Sequence, residues 1–325
     1  MADTFYNQIA ENKRKSFLLS LIVVALFGAL GFSIGYAVSG DVAGAGVALA
    51  IALGIGSALA VGSYFGGDSV VLGVSGAKEV DPTSAPQLIN VVQELAIAAN
   101  IPMPKVYVID DTAPNAFATG RDPKHASVAI TSGLLEKLDR EELQGVIGHE
   151  LSHVRNFDIR FAMIVGVLVG SIALLADFFL RFTFWGGGRS SSRDNDKGGG
   201  GLQVVFFVVA IVLSIVAPIV ARFVQLAVNR QREYLADASS VELTRNPRGL
   251  EQALAKIASD KEVLEVANRA TQHLYFTNPI KKFEQRSANL FSTHPAIVDR
   301  INRLRQLTGD PPLEQSDVQA LAGLD

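Results

Sequence analysis

Long apolar runs alternate with polar stretches along the chain, and four of these runs are long enough to cross a bilayer. A transmembrane helix needs about 20 predominantly apolar residues. The candidate segments are residues 17–38, 42–65, 161–180 and 202–221. The only charged residue within them is Asp177, near the end of the third run. The pattern therefore predicts four membrane-spanning helices.

The first two apolar runs are separated only by Ser39-Gly40-Asp41. A cleaved signal peptide is the alternative for the first run, but that run exceeds the 7–15 apolar residues typical of a signal peptide. A hairpin anchor is the better interpretation. Small residues at four-residue spacing would allow close contact between its helices, although ordinary small-residue usage explains the spacing equally well. They are Gly31 and Gly35 in the first run and Gly54, Ala58 and Gly62 in the second.

Basic residues near the ends of the runs indicate an orientation, because cytoplasmic flanks of membrane spans carry an excess of Lys and Arg. These residues are Lys13, Arg14, Lys15, Arg155, Arg160, Arg222, Arg230 and Arg232. The loop between the first two runs has none. The N-terminus and the large polar regions are therefore expected in the cytoplasm. The Gly/Ser-rich loop 182–201 also carries basic residues, so its translocation is less well supported than that of the first hairpin.

The apolar runs divide the chain into four predicted parts. Residues 1–66 form the N-terminal tail and hairpin, 67–160 a polar region, 161–222 the second pair of spans with their loop, and 223–325 a second polar region. In the first polar region, residues 85–100 predict an amphipathic helix. Residues 105–110 and 127–131 predict short strands, separated by a turn-rich stretch with Pro114, Gly120 and Pro123.

Further helices are predicted from caps and periodicity. Asp139 followed by Glu142 is a capping-box pattern that opens a helix. No Pro or Gly lies between His153 and Phe161, so this helix is expected to continue straight into the third span. In the second polar region, residues 228–249, 250–268 and 295–307 predict helices.

The composition agrees with membrane segments and limits the possible chemistry. Of 325 residues, 49% are hydrophobic and 19% are charged, a balance more apolar than in soluble domains. The formal net charge of −3 provides no basic surface, so no nucleic-acid partner is expected. The chain has no cysteine, which excludes disulfides and thiolate ligands and leaves His, Asp and Glu to bind any metal.

The sequence His149-Glu150-Leu151-Ser152-His153 carries the strongest chemical signal. Residues four apart on a helix are separated by about 40° around its axis, so both imidazoles face one point. Neutral imidazoles suit Zn²⁺, and Glu150 can act on water there as a general base. Two core histidines spaced by chance are the alternative, but chance produces the pattern roughly once in a hundred such sequences. Its position in a capped helix favours the metal site.

A catalytic zinc ion needs a third protein ligand and an open coordination position. Glu233 lies on a predicted helix and is a plausible donor, and Asp237 lies one turn later on the same face. Asp237 could accept the free N–H of a ligating histidine and so fix its tautomer. The alternatives are a solvated helix charge for Glu233 and a surface residue for Asp237, and the spacing alone leaves both open.

Taken together, these motifs resemble the M48 family of peptidases, in particular the HtpX-type membrane proteases, which are related to the CAAX-processing Ste24 enzymes. The resemblance covers nearly the whole chain, and the combination of its elements is specific. The elements are the N-terminal hairpin, Pro102-Met103-Pro104, Asn115-Ala116-Phe117-Ala118-Thr119-Gly120, His149–His153, the third and fourth spans, Glu233–Asp237 and Thr293-His294-Pro295.

The resemblance implies a mainly α membrane protein with four transmembrane helices and a cytoplasmic α+β zincin-like (gluzincin) protease domain with a small β-sheet. It implies one Zn²⁺ per chain, with His149, His153 and Glu233 as ligands, Glu150 as base and Asp237 as support. It also implies that Asn115 lies beside the substrate backbone and that His294 approaches the tetrahedral intermediate. From the residues alone, Asn115 reads as a turn residue and His294 as a packed residue at a helix start.

The resemblance further implies a multi-pass protein of the bacterial inner membrane that acts in quality control of membrane proteins under stress. Its partners would be the lipid bilayer and protein substrates, mainly membrane proteins. The expected reaction is peptide-bond hydrolysis, with an extended substrate pairing to a strand beside the site.

Three rival interpretations remain. A protease acting within the bilayer is disfavoured, because many polar residues surround the motif. The second rival is a non-proteolytic membrane scaffold or chaperone with a structural metal, but such a protein does not need Glu150 as a base. The third rival is the processing of prenylated proteins, but the Ste24 relatives that carry it out have more membrane spans than the four predicted here.

Overall fold

The computed structural model describes residues 5–181, 183, 200–260, 295–314 and 317–321. The chain divides into two compact units. The first unit contains Met1–Asn12, Tyr64–Ala162 and Asn229–Asp325, and the second contains Lys13–Ser63 and Met163–Val228. The larger helices are α1 Phe5–Ser39, α2 Val42–Val74, α3 Pro86–Ala99, α5 Arg140–Arg155, α6 Asp158–Arg181, α7 Gly200–Thr244, α8 Pro247–Ser259 and α9 Ile297–Thr308. Two short helices are α4 Ser132–Lys137 and α10 Val318–Leu321.

Close packing of small residues joins α1 and α2 in the second unit. A Cβ atom added to Gly31 would lie 2.9 Å from the Cβ of Ala52, and Gly35 is equally tight against Ala48. The predicted close contact of the hairpin is therefore confirmed for the two α1 glycines. The predicted contact residues on α2 were wrong. Because the turn between the two helices is short, Gly35 lies opposite residues near the start of α2. The predicted partners Gly54, Ala58 and Gly62 are all exposed.

Among the described residues, three helical segments are long and apolar enough to cross a membrane. They are Leu21–Ser39, Val42–Leu59 and Gly201–Leu226, and they correspond to the first, second and fourth predicted spans. The third predicted span lies within α6, where the side chains of residues 160–168 lie outside the described part. Four spans therefore stay a prediction.

A four-stranded sheet lies in the first unit, in the order β1-β2-β4-β3. Its strands are β1 Lys78–Glu79, β2 Lys105–Ile109, β3 Ala116–Gly120 and β4 Ala126–Thr131. The central β2 and β4 are parallel, and the two outer strands run antiparallel to their neighbours. The strands β2 and β4 match the predicted ones, but β3 occupies the stretch predicted as turns. Pro114 and Gly120 do bracket this stretch, yet the residues between them have enough length to pair with β4.

The core of the first unit lies between the sheet and helices α3, α5, α8 and α9. Its fully buried side chains include Val91 and Val92 from α3, Val128 and Ile130 from β4, Val146, Ile147 and Leu151 from α5, Leu254 from α8 and Ile301 from α9. A smaller cluster containing Leu72 and Phe117 contributes a second buried group. This packing fixes α5 against the sheet.

The predicted capping box at the start of α5 is confirmed. The Asp139 side chain accepts a hydrogen bond from the Glu142 N–H, and the Glu142 carboxylate accepts one from the Asp139 N–H. Later in the chain, the helix predicted over residues 228–249 ends earlier, at Thr244. A new helix begins at Pro247, with Asn246 as its cap, because proline fits the first turn of a helix but not its interior.

The expectation that α5 continues straight into the third span was wrong. The helix ends at Arg155, and α6 starts at Asp158. Phe157, between them, has φ = 60°, a left-handed conformation that non-glycine residues rarely adopt. The absence of Pro and Gly did not prevent the break, and its consequence is the position of the Asp158 side chain.

Candidate metal centre

The two histidines of α5 lie one helical turn apart and direct their Nε2 atoms toward the same point. These atoms are 3.1 Å apart. His149 is buried, and His153 is partly buried with 15% of its side chain exposed. The i,i+4 spacing therefore has the effect that the sequence predicted.

Glu233 of α7 brings a carboxylate to this histidine pair. Its Oε2 lies 3.6 Å from Nε2 of His149, and its Oε1 lies 3.5 Å from Nε2 of His153. All three residues offer ligand atoms within 4.8 Å of one another. Four tetrahedral ligands about 2.0–2.1 Å from a zinc ion are separated by about 3.3 Å. The spacing of these donors therefore fits a metal ion of that size.

The Nδ1 atom of His149, on the opposite side of its ring, faces a buried carboxylate. It lies 2.9 Å from Oδ1 of Asp237. The fully buried Arg300 of α9 donates to both oxygens of Asp237, at 2.7 and 2.9 Å, and its Nη1 lies 3.4 Å from Glu233. Burial acts to raise the pKa of Asp237, but the Arg300 guanidinium and His149 hold it below its usual value. An ionised Asp237 favours the His149 tautomer that leaves Nε2 free to bind a metal.

His153 has a carboxylate partner of its own, which is Asp158 at the start of α6. Nδ1 of His153 lies 3.1 Å from Oδ2 of Asp158. Burial acts to lower the pKa of His153, but the hydrogen bonds to Asp158 and Glu233 raise it to about 10. Arg232 of α7 is buried beside Asp158, with Nε 3.4 Å from Oδ1 and Nη1 3.1 Å from the main-chain carbonyl. Both imidazoles are therefore held from behind by carboxylates.

Glu150 is buried between the histidines and the sheet. Burial of its carboxyl outweighs the neighbouring Ala118 N–H of β3, which acts to lower the pKa. Burial raises its pKa, against the opposing influence of His149 and His153. A raised pKa makes a carboxylate a stronger base, as proton abstraction from water requires.

Of the other two predicted site residues, the structure describes only Asn115. It lies immediately before β3 and is buried. Its Oδ1 accepts a hydrogen bond from the Ala116 N–H, and its main chain is bonded to Thr131. Its role beside a substrate stays a prediction. His294 lies outside the described residues.

The sequence reasoning did not identify three residues of this centre: Asp158, Arg232 and Arg300. The first two were interpreted only as polar or basic flanks of membrane spans. Arg232 is 6% exposed and paired with Asp158. Arg300 comes from another part of the chain, six residues after His294. No local pattern could reveal these contacts, since tertiary packing creates them.

A His-His-Glu group that could hold a metal ion, with a glutamate beside the first histidine, is typical of metal-dependent peptidases. The comparison with known families agrees with this class. Residues 82–308 match the model of Peptidase family M48. The chain belongs to this family, and the protein is a metallopeptidase.

Similar proteins extend the likeness to nearly the whole chain. Proteins named "Protease HtpX homolog" from Streptococcus uberis and from Ligilactobacillus salivarius are 46% and 43% identical to it over 302 residues. Each alignment covers 93% of this chain and 99% of the relative. A solved structure titled "Crystal Structure of S. mikatae Ste24p" aligns with a TM-score of 0.47 and 17% identity, over 91% of this chain and 67% of that one. That likeness is too slight to establish a shared fold. The apolar helices and the relatives together indicate a membrane protein.

Proposed function

We propose that this metallopeptidase binds one Zn²⁺ per chain through His149, His153 and Glu233 and hydrolyses peptide bonds in cytoplasmic segments of membrane proteins. The observation that carries the proposal is the convergence of these three donors, with Glu150 buried beside them. Two imidazoles and one carboxylate are a ligand set found in catalytic zinc sites, and they leave a fourth position for water or substrate.

Each residue of the site has a proposed task in the reaction. A bound zinc ion would supply Lewis-acid chemistry, which polarises the scissile carbonyl and makes water more acidic. Glu150 takes the proton of the attacking water and passes it to the leaving amine. Asp237 orients His149, and His294 stabilises the developing oxyanion.

We place the substrate along the edge of β3. This strand pairs with β4 on one side and is the last strand of the sheet in the described residues. The Asn115 carbonyl accepts from the Thr131 N–H of β4, and alternation along the strand directs the N–H and C=O groups of Ala116 and Ala118 to the other side. The influence of the Ala118 N–H on the pKa of Glu150 agrees with this direction.

An extended substrate paired with this edge would lie beside the base, and Asn115 would border its backbone. Main-chain pairing of this kind gives a weak sequence preference. That property suits an enzyme with many unfolded substrates. All five residues of β3 are buried, so binding requires the surroundings of this edge to open.

The proposed substrates are misfolded proteins of the inner membrane of a bacterium, degraded under stress for quality control. The resemblance to HtpX-type proteases supports this part of the proposal. The polar character of the first unit supports cleavage outside the hydrocarbon, because buried ion pairs such as Asp158 with Arg232 are found there rather than in contact with lipid. Model substrates with cleavable segments at graded distances from a membrane span would show where cutting occurs.

The substitution Glu150→Gln tests the mechanism. The variant should keep its zinc content, because the ligands are unchanged, and lose activity by at least about 10²-fold, because proton transfer is lost. Zinc content and cleavage of an unfolded membrane protein would be measured on protein purified in detergent. Wild-type protein is also expected to nick itself in the presence of zinc, whereas the variant should stay intact. Full activity in a zinc-loaded variant would refute the assignment of the base.

A further inference from the structure

Both histidines of the centre are backed in the same way by an aspartate and a buried arginine. His149 contacts Asp237, which is paired with Arg300, and His153 contacts Asp158, which is paired with Arg232. We propose that Asp158 and Arg232 are positioning residues for His153, and that they orient its ring for the metal as Asp237 and Arg300 orient that of His149. This inference rests on the proposed metal site.

Asp158 follows His153 by five residues, and on an unbroken helix it would project about 140° away from it. The contact of 3.1 Å exists only because the helix breaks after Arg155. At this break Phe157 adopts φ = 60°, which is sterically unfavourable for a large side chain. An unfavourable backbone conformation that brings a carboxylate to a metal ligand is an indication of function.

A carboxylate at Nδ1 stabilises the N–H tautomer there and leaves Nε2 with its lone pair toward the metal. Once His153 has lost its second proton, the two Nε2 atoms, 3.1 Å apart, present lone pairs to the same point. Two lone pairs so close are unfavourable unless a cation or proton lies between them. The two aspartates therefore prepare the histidine pair for a metal ion.

Asp158 is itself buried. Its side chain is 9% exposed and that of Arg232 is 7% exposed. Arg232 contacts both a carboxylate oxygen and the main-chain carbonyl of Asp158, which fixes the residue at two points. Arg232 is also the residue before Glu233. The same turn of α7 therefore supplies one metal ligand and the partner that holds the support of another.

The test uses the full chain in detergent and zinc as the probe. Asp158→Asn should raise the zinc dissociation constant by about 10–100-fold, measured by competition with a chelator. Nitrogen NMR of the zinc-free protein, at a pH where His153 is neutral, should show that His153 in the variant loses the preference for the Nδ1–H tautomer that it has in the wild type, a change that a purely structural role would not produce. The control Arg155→Met removes an ion pair with Glu242 at the same helix junction and should stay within about twofold of wild type.

Arg232→Met is a second, independent test of the same proposal, and it replaces Asp158→Asn if that variant does not fold. It should weaken zinc binding in the same direction, and the double variant should lose less than the two single losses combined, because both act through one contact. Unchanged zinc affinity and unchanged His153 signals in Asp158→Asn would overturn the inference, as would an equal loss in Arg155→Met. If the wild-type protein itself binds no zinc at this site, the proposed function fails and not merely this part of it.

Discussion

Charge balance explains why the residues of the centre occur together. Four carboxylates are buried there, those of Glu150, Asp158, Glu233 and Asp237. The buried guanidiniums of Arg232 and Arg300 compensate two of the four negative charges when all four groups are ionised. A divalent cation between neutral imidazoles would compensate the other two. Because burying uncompensated charge is costly, a bound divalent cation would stabilise this cluster.

Glu233 is the proposed metal ligand from the second half of the chain, and its removal should weaken zinc binding strongly. Glu233→Ala should lower zinc affinity by more than the about 10–100-fold typical of losing an outer partner of a ligand, because two imidazoles and water hold the ion poorly. Activity should fall with it. The matched control is Glu242→Ala on the same helix, a 41% exposed residue that pairs with Arg155. Zinc content after dialysis against a chelator measures both variants, and an unchanged content in Glu233→Ala would place the third ligand elsewhere.

The sequence predicted those site residues whose signal is local. His149, Glu150 and His153 lie within one helical turn, so their spacing determines their relative positions. Glu233 and Asp237 share the i,i+4 spacing, but their meeting with the histidines depends on how α7 packs against α5. Their spacing alone did not establish a role at the metal site, and the resemblance to the M48 family was what assigned it to them. Arg300, 63 residues beyond Asp237, gave no signal of its own.

At the scale of elements, the helix that carries the motif is fixed at both ends by polar contacts. Its N-terminal capping box is completed by Lys256 of α8, whose ammonium lies 2.7 Å from the buried Glu142 carboxylate. The last residue of the helix, Arg155, is followed by the break that positions Asp158. These contacts hold α5 in place against the sheet and α8. Because they lie at the ends of the helix, they stabilise it without taking part in the chemistry at its centre.

Removing the cap should therefore affect stability and leave the chemistry intact. Asp139→Ala should lower the free energy of unfolding by about 1 kcal/mol, because the Glu142 N–H loses its acceptor. Cleavage well below the melting temperature should stay near the wild-type rate. Asp110→Ala, at an exposed aspartate of the same unit, is the control and should change neither property. Thermal unfolding in detergent and a cleavage assay would be compared, and a strong loss of activity without a loss of stability would contradict the purely structural role of the cap.

The elements that the sequence failed to predict share a physical cause. The strand β3 has a short sequence between two turn-forming residues, and its pairing with β4 supplies the stability that its own propensity lacks. The break between α5 and α6 has no Gly or Pro, because side-chain contacts of Asp158 and Arg232 stabilise it instead. By contrast, the capping box and the amphipathic α3 depend on neighbouring residues, and both were predicted from them.

At the scale of the whole molecule, the first unit is assembled from stretches of chain that the second unit interrupts. The histidines belong to Tyr64–Ala162 and Glu233 to Asn229–Asp325. A metal ion bound by all three would join these two stretches. Any ligand that binds only the folded state stabilises it in proportion to the logarithm of its concentration over the dissociation constant. Zinc is therefore expected to act on the stability of the whole first unit as well as on catalysis.

The proposed orientation can be tested directly because the chain contains no cysteine, so one introduced thiol reports a single position. We expect a maleimide that does not cross membranes to label Asp41→Cys in intact spheroplasts, because this residue follows the first span in a loop without basic residues. Lys124→Cys, on the exposed surface of the first unit, should react only after the membrane is permeabilised. The unmodified, cysteine-free protein serves as the blank.

A third position, Ser191→Cys, tests the number of spans. It lies in the loop predicted to be translocated between the third and fourth apolar runs, and it should be labelled from outside only if both runs cross the bilayer. Labelling of Ser191→Cys only after permeabilisation would leave the first hairpin as the membrane anchor and refute the four-span topology. Labelling of Lys124→Cys in intact spheroplasts would reverse the orientation. The histidine pair and Glu233 lie in the same unit as Lys124, so that result would also exclude cytoplasmic segments as the substrates.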